Sequence, residues 1–394
     1  MKRPLFIIIG VIVVIILLAI WVFVLFFGTP QNGDQFANFD FGNTNDPSVV
    51  IDEDANPEPT VDVTGPERLR QLTTREVAGF QEVRPDASSS PMVYYIELGT
   101  GHVYRINLES GEEVRLSGTT IPETRLGAVT PNGAYMMVRS GDGMSAETVV
   151  GAFSSTSEEV TTLTLDETVV DIKAGDDNTF FYSVKTVNSL IGKQYFPDSN
   201  TSETLFTIPF REALIVWGNS ADDSHFAFPK PTSQLEGFGY EIRNGNILRT
   251  AADGYGLTMT GNESFAIFAR QFDEEYVTYT HDLRSGTTTQ YSLPLLPLKC
   301  IAMNTDDETF ICAQELTELN HLMPDTWLKG VASFSDSLWE VNARFQNTDQ
   351  LVNIERESGR SVDVVSLMSG QDDELIYFQN KNDQTLWLYE RVIQ

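Results

Sequence analysis

Short apolar stretches alternate with polar turns along most of this chain, and the same order of residues recurs. In Val129–Val138 an apolar stretch runs into Thr130-Pro131-Asn132-Gly133, and a second apolar stretch follows. Met259–Phe268 repeats this order. Apolar or alternating runs of about four to eight residues are typical of β-strands, and Asn, Asp, Gly and Pro favour the turns between them. The pattern therefore predicts a repeated β-hairpin with an Asp or Asn at its turn.

Seven such turns can be placed, and their spacing indicates the architecture. The first five intervals are 46, 44, 46, 40 and 44 residues, and the sixth is 66. A repeat of about 40–45 residues that holds four short strands is typical of one blade of a β-propeller. The predicted fold class is all-β, a seven-bladed β-propeller. The seven turn residues are Asp86, Asn132, Asp176, Asp222, Asn262, Asp306 and Asp372.

The last repeat lacks one strand. It offers strands at Val362–Leu367, Leu375–Gln379 and Thr385–Glu390. An open strand edge would promote aggregation, so a fourth strand is expected from elsewhere. Leu69–Thr73 has strand character and precedes the first blade. We predict that it is the outer strand of blade 7 and closes the ring.

The N-terminal residues predict a membrane anchor. Leu5–Phe27 is an uncharged apolar run of 23 residues, which would span about 34 Å as a helix, against about 30 Å for a bilayer core. Lys2 and Arg3 precede it, and no basic residue follows before Arg68. The positive-inside rule places such an N-terminus in the cytoplasm and the rest outside. Residues 1–28 are thus predicted to be a cytoplasmic stub and one transmembrane helix of a single-pass cell-membrane protein; a cleaved signal peptide is the alternative.

A tether is predicted between the anchor and the propeller. Residues 29–66 contain eight acidic residues, five prolines and no basic residue. Low hydrophobicity with charge of one sign cannot support a core, so this segment is expected to be a disordered acidic linker. A flexible chain of this length reaches about 35 Å. It would hold the domain at residues 67–394 outside the membrane.

The charge of the chain narrows the choice of partners. Its 56 acidic and 26 basic residues give a net charge of −30, and every acidic residue follows residue 27. A net negative charge of this size repels the phosphate backbone of nucleic acids, so nucleic acid is not an expected partner. The charge could serve solubility, or it could attract cations or a basic partner.

The turns between the first and second strands of the blades contain acidic residues without Lys or Arg. Ordinary solvated turns explain this pattern, since Asp and Asn favour turns. Divalent cations could bind there, but the ligand spacing of an EF-hand is absent, and no metal or cofactor site is predicted. We name this side the acidic-turn face, after Asp176, Asp177, Asp222, Asp223, Glu263, Asp306, Asp307, Glu308, Asp372, Asp373 and Glu374.

The opposite side carries the long connections between second and third strands, and we name it the long-loop face. The sixth interval is 22 residues longer than the mean of the others, and Gln314–Phe334 accounts for 21 of these residues. Thr186–Gly192 and Pro229–Gly237 are the other long connections. Long loops on one side of a rigid scaffold are where binding usually occurs. The candidate partner-binding residues are His321, Met323, Trp327 and Phe334, unless Trp327 and Phe334 simply pack the insertion onto its blade.

The two cysteines flank the sixth turn. If the hairpin centres on Asp306, then Cys300 and Cys312 face each other on adjacent strands. The outside compartment implied by the anchor would let a disulfide form there. Two buried free thiols are the alternative.

The turn Thr130-Pro131-Asn132-Gly133 resembles the Ser-Pro-Asp-Gly turn of TolB-like and WD-type propeller repeats, although the Trp-Asp dipeptide of WD repeats is absent. The arrangement also resembles membrane-anchored propellers of the bacterial envelope. The resemblance covers residues 67–394 and implies the β-propeller fold. It says little about function, because β-propellers perform many unrelated functions.

Little in the sequence indicates catalysis. The four histidines, His102, His225, His281 and His321, are far apart, and no zinc-protease, serine-hydrolase or phosphate-binding motif occurs. No catalytic residue is assigned, and an enzyme is less expected than a binding protein. The sequence therefore predicts a membrane-anchored, extracytoplasmic β-propeller that binds another protein or an envelope component. The alternative is a carbohydrate-active or otherwise hydrolytic or lytic enzyme that uses carboxylates of the central channel.

Overall fold

The computed structural model describes residues 68–84, 89–154, 159–315, 319 and 322–392. Within these ranges the chain forms seven antiparallel sheets of four strands each. In six of them the four strands follow one another in sequence, so each sheet is one repeat. The predicted seven-bladed β-propeller is therefore confirmed. The predicted turn residues from Asn132 onward lie between the first and second strands of their blades.

The blades are numbered in chain order, and the first strand of each is the innermost. The chain begins with β1 (Leu69–Gln71), and blades 1 to 3 contain β2 (Val77–Val83), β3 (Met92–Glu97), β4 (Val103–Asn107), β5 (Glu113–Arg115), β6 (Thr124–Val129), β7 (Tyr135–Ser140), β8 (Glu147–Ala152), β9 (Thr161–Leu165), β10 (Val169–Ala174), β11 (Phe180–Lys185), β12 (Leu190–Phe196) and β13 (Thr201–Ile208). Blades 4 to 7 contain β14 (Ala213–Val216), β15 (His225–Pro229), β16 (Glu236–Arg243), β17 (Asn246–Tyr255), β18 (Thr258–Gly261), β19 (Phe265–Phe272), β20 (Glu275–Asp282), β21 (Thr288–Gln290), β22 (Cys300–Ala302), β23 (Thr309–Gln314), β24 (Ser337–Asn342), β25 (Thr348–Asn353), β26 (Val364–Ser369), β27 (Leu375–Asn380) and β28 (Leu386–Glu390).

Blade 7 is completed by a strand from the other end of the chain. β1 pairs antiparallel with β28 and is the outermost strand of the sheet, where the sequence predicts it. Leu69 lies opposite Tyr389, near the end of β28 that meets the acidic-turn face. β1 therefore runs from that face toward the long-loop face. Leu69 is buried, so the closure also removes an apolar side chain from water.

The apolar core lies in layers between neighbouring blades. Between blades 3 and 4, Phe181 stacks on Trp217 with ring centroids 5.5 Å apart, and Phe206 packs on the same indole at 5.5 Å. All three side chains are buried. A sheet packed on both faces buries both sets of its side chains, which explains the continuous apolar runs of second strands such as β11 and β19.

The two cysteines form a disulfide, as predicted. Cys300 on β22 lies directly opposite Cys312 on β23, with Cα atoms 4.0 Å apart. The bond joins the innermost strand of blade 6 to its neighbour.

Blade 4 departs from the predicted strand limits. The sequence predicts strands at Gly239–Arg243 and Ile247–Thr250, whereas β16 begins at Glu236 and β17 ends at Tyr255. A bulge shifts the register between these strands and lets their pairing continue. Glycine lowers strand propensity, and both added ends contain it, which is why the pattern predicts shorter strands.

Two short helices interrupt the strands, α1 (Asp325–Leu328) in the insertion and α2 (Ile354–Ser358) before β26. The Asn353 side chain caps α2 by accepting from the Arg356 N–H at 2.8 Å. Two 3-10 turns, Gly143–Ser145 and Pro297–Lys299, lie beside strands. From Glu67 onward the sequence predicts no helix, because these segments are too short for apolar periodicity to appear.

The predicted transmembrane helix, the acidic linker, the turn at Asp86 and the candidate residue His321 lie outside the described residues. In the described part of the chain, no helix is both long and apolar enough to cross a membrane. Membrane attachment therefore stays a prediction.

Candidate functional site

The insertion of blade 6 lies across the long-loop face. It passes over blade 5, where the Tyr276 N–H donates to the Leu319 carbonyl at 3.1 Å. It then reaches blade 4, where Asp325 of α1 accepts from the Ser233 N–H and, at 3.3 Å, from the Thr232 hydroxyl. Loops of three blades are therefore joined along this face.

The predicted partner-binding side chains that the structure describes face inward. Met323, Trp327 and Phe334 are only 3%, 5% and 7% exposed. They share an apolar cluster with Ala269 and Tyr276 of blade 5. This corrects the expectation that they form an exposed patch, because burying such large apolar side chains is more favourable than exposing them. They instead hold the insertion on the propeller, which is the alternative that the sequence leaves open.

A buried ionic cluster lies beneath the insertion. The side chains of Lys299, Asp336 and Asp363 are fully buried, and Lys299 Nζ pairs with both carboxylates, at 2.7 Å from Asp363 Oδ1. Trp327 Nε1 donates to Asp363 at 3.0 Å. Lys381 Nζ lies 4.3 Å from the centroid of the same indole. The insertion is thus fastened to groups that immediately precede β22, β24 and β26.

The charges of this cluster are paired, as buried charges must be. Burial raises the pKa of Asp336 to about 6, although its attraction to Lys299 opposes the shift. Asp336 Oδ2 accepts from the Val364 N–H at 2.7 Å, whereas Oδ1 has no hydrogen-bond partner among the described residues. One carboxylate oxygen is therefore desolvated without compensation, which makes the cluster sensitive to pH.

Exposed apolar side chains surround the buried part of the insertion. Each belongs to a loop or strand end of blades 4, 5 or 6 on the long-loop face. We name them the loop patch: Leu235, Tyr255, Phe272, Leu322, Leu328 and Val331, all at least 39% exposed.

Contacts around Gly256 show that the loops carrying this patch meet. A Cβ atom at Gly256 would lie 2.8 Å from the Met323 carbonyl oxygen, 3.2 Å from Pro324 Cδ and 3.4 Å from Gln271 Cγ. The φ of Gly256 is +63°, in the left-handed region that favours glycine. Three residues of the loop patch adjoin these contacts in sequence: Leu322 precedes Met323, Phe272 follows Gln271, and Tyr255 precedes Gly256. Loops from three blades therefore come together at one place on this face.

A second candidate site is the central channel. A cavity of about 580 Å³ is lined by the innermost strands of blades 3 to 7 and by the acidic turns of blades 4 to 6. On the side of blades 3 and 4, Asp171 accepts from Trp217 Nε1 at 2.8 Å. Lys173 Nζ donates to the carbonyl oxygens of Trp217 and Gly218 and to Asn219 Oδ1 at 3.0–3.2 Å. The wall formed by blades 5 to 7 is richer in apolar side chains, including Met259, Met303 and Met368.

The carboxylates that line this channel have structural contacts. Asp223 Oδ2 accepts from the N–H groups of Asn219 and Ser220, both at 2.8 Å. Asp307 accepts from the Ser264 hydroxyl at 2.9 Å, and Glu263 pairs with Arg243 at 3.2 Å. Among the residues that the structure describes, no group of three His, Cys, Asp or Glu side chains is placed to hold a metal ion.

Burial raises the pKa of Asp171. The contact with Trp217 opposes that shift without cancelling it. Asp171, Asp223, Asp307 and Glu263 all form hydrogen bonds or ion pairs within the protein. These contacts give no specific support to the alternative of an enzyme that uses carboxylates of the channel.

His225 is the one histidine enclosed by the core in the described structure. Its Nδ1 accepts from the Gly218 N–H at 2.8 Å, so Nε2 carries the proton, and no described residue accepts a hydrogen bond from Nε2. Phe181 and Trp217 pack against the ring. Burial lowers the pKa of His225 to about 4. The imidazole is therefore a neutral part of the packing between blades 3 and 4.

Comparison with known proteins supports the fold alone. No protein-family model and no curated protein sequence matches the chain. An oligogalacturonate lyase solved in complex with manganese matches with a TM-score of 0.52 and 11% identity, covering 82% of this chain and 93% of that one. The oligogalacturonate lyase from Vibrio parahaemolyticus gives 0.52 and 10%, with the same coverage. The β-propeller domain of the Trilobed protease from Pyrococcus furiosus gives 0.49 and 8%, covering 80% of this chain and 95% of that one.

Proposed function

We propose that the protein is a membrane-tethered, extracytoplasmic binding module that captures a protein partner on its long-loop face. The loop patch carries this proposal. It brings exposed apolar side chains from three blades together on loops whose bases are fixed by a buried cluster. Contiguous apolar surface on a rigid scaffold is typical of interaction sites.

The topology of the chain supports the same function. β1 begins at the acidic-turn face, so a flexible tether entering there would bias the long-loop face away from the membrane, without fixing its direction. The disulfide between Cys300 and Cys312 is consistent with an oxidising compartment outside the cytoplasm. The anchor of Leu5–Phe27 would then display the patch to other components of the envelope.

Substitutions on the patch test the proposal. Leu235 and Val331 are 69% and 78% exposed, so changing both to Ser removes contact surface without opening the core. Phe345, 74% exposed in the turn between β24 and β25, is a matched control on the opposite face. Cross-linking in intact cells that produce the full-length chain, followed by mass spectrometry, should recover a partner with wild type and with Phe345→Ser.

The double variant should lose that partner while its unfolding curve stays unchanged. Recovery of the same partner by Leu235→Ser/Val331→Ser, at wild-type yield, would contradict the proposed function. Equal loss with Phe345→Ser would show that the binding surface lies elsewhere.

A further inference from the structure

The loop patch has an acidic border. Glu236 lies beside Leu235, and Asp273, Glu274 and Glu275 follow Phe272 in the hairpin of blade 5. All four are exposed, and none forms an ion pair in the described part of the chain. The apolar centre is therefore flanked by four acidic side chains that are not held in ion pairs within the described part of the chain.

The same loops carry four cations, Lys230, Arg249, Arg270 and Lys329, and the last three form ion pairs. Arg249 and Arg270 both pair with Asp253, at 3.4 and 2.6 Å. Lys329 pairs with Asp325 at 3.1 Å. Asp325 is held in its ionised form: burial opposes ionisation, but hydrogen bonds from Ser233 and Lys329 outweigh it and lower the pKa. Against these four cations stand six carboxylates, those of Asp253, Asp325 and the four border residues, so the net charge around the patch is negative.

We infer that the partner binds through a protein segment that carries apolar side chains flanked by Lys or Arg. The inference rests on the proposed function and states the chemistry of the partner. Apolar side chains entering a patch supply most of the binding free energy, whereas charges at the border set the rate of encounter and reject wrong partners. An acidic border repels acidic segments and attracts basic ones.

Two synthetic peptides provide the test. They share one pattern of Leu residues and place either Lys or Glu at every remaining polar position. Binding of each labelled peptide to the full-length protein in detergent is measured by fluorescence anisotropy at low and at high salt. We expect the Lys peptide to bind at least tenfold more tightly than the Glu peptide, with the difference shrinking at high salt because exposed charges are screened.

The overall charge of −30 would attract any basic peptide, so a charge-matched control is needed. The border variant is Glu236→Gln/Asp273→Asn/Glu274→Gln/Glu275→Gln. Asn suits position 273, whose φ of 54° lies in the left-handed region. The control neutralises four exposed carboxylates of the acidic-turn face instead, as Asp176→Asn/Asp177→Asn/Asp222→Asn/Glu374→Gln.

The border variant should lose the preference for the Lys peptide, and the control should keep it. An equal loss in both variants would overturn the inference, because general attraction would then explain the binding. Equal binding of both peptides to wild type, abolished by Leu235→Ser/Val331→Ser, would overturn the charge preference while upholding the surface. Binding of neither peptide would count against the surface itself and so against the proposed function.

Discussion

The indole nitrogen of Trp327 lies 3.0 Å from each carboxylate oxygen of Asp363. Trp327 belongs to the insertion of blade 6, and Asp363 immediately precedes the first strand of blade 7. This contact joins the segment that displays the loop patch to the blade that closes the ring. Lys381 Nζ, which donates to the Trp327 carbonyl, and the Ser333 hydroxyl, which donates to Asn382 Oδ1 at 3.1 Å, join the same two parts.

Trp327→Phe should loosen the insertion. The substitution removes the N–H group and leaves a buried carboxylate with one donor fewer, which typically costs about 1.5–3 kcal/mol of unfolding free energy. Trp339→Phe is the comparison, because Trp339 Nε1 donates at 3.0 Å to the neutral carbonyl of Gln314 and should cost only about 0.5–1.5 kcal/mol. Urea unfolding measures both values. Limited proteolysis should cut residues 319–334 faster in Trp327→Phe alone; equal cutting would contradict the role given to this contact.

The regular part of the fold could be predicted from the sequence because each blade repeats the same local rule. An apolar strand, an Asp or Asn turn and a second apolar strand are visible in the residues themselves, and so is the spare strand at Leu69–Thr73. The facing positions of Cys300 and Cys312 follow from the geometry of one hairpin.

The site could be predicted only in part. The length of the insertion indicates where loops project, but not which of its side chains are buried. Lys299, Asp336 and Asp363 are distant in sequence, and their sole common signal is that each immediately precedes a strand on the long-loop face. The buried charges that make Trp327 a structural residue come together only through the packing of blades 6 and 7.

Lys299→Met should be strongly destabilising. Methionine keeps the apolar stem but removes the charge that pairs with Asp336 and Asp363. Removing one partner of a buried ionic cluster typically costs about 3–5 kcal/mol. Adding Asp336→Asn should recover part of the loss, since fewer buried carboxylates then lack a partner. Denaturant unfolding of the single and double variants measures this; no recovery would contradict the assignment of the loss to unpaired buried carboxylates.

The disulfide should stabilise the folded protein measurably. Cys300 and Cys312 are 12 residues apart, and a crosslink that closes a loop of this size contributes about 2–3 kcal/mol by restricting the unfolded chain. Cys300→Ala/Cys312→Ala should lose about that amount. Reductant should lower the unfolding free energy of wild type and leave that of the double variant unchanged. A response of both proteins to reductant would contradict the assignment.

Asp336 should stabilise the protein more as the pH falls. Its pKa is about 6 when folded and 3.8 as an ordinary Asp, so the folded protein binds more protons between these values. Its contribution is complete below about pH 4 and is lost as the pH rises through 6. Asp336→Asn removes this contribution. When the pH falls from about 7 to about 4.5, the unfolding free energy of the variant should therefore decrease more than that of wild type, by on the order of 2 kcal/mol. Urea unfolding at each pH measures this difference.

His225 should act in the opposite direction. Its pKa is about 4 when folded and 6.5 as an ordinary His, so the unfolded chain binds more protons between these values. Its contribution is present above about pH 6.5 and is lost as the pH falls toward 4. His225→Asn keeps a side-chain acceptor for the Gly218 N–H but no longer titrates. Over the same pH range this variant should lose less stability than wild type, by on the order of 2 kcal/mol. Shifts of the same sign for His225→Asn and Asp336→Asn would contradict both assignments, because burial of an acid and burial of a base must change the pH dependence in opposite ways.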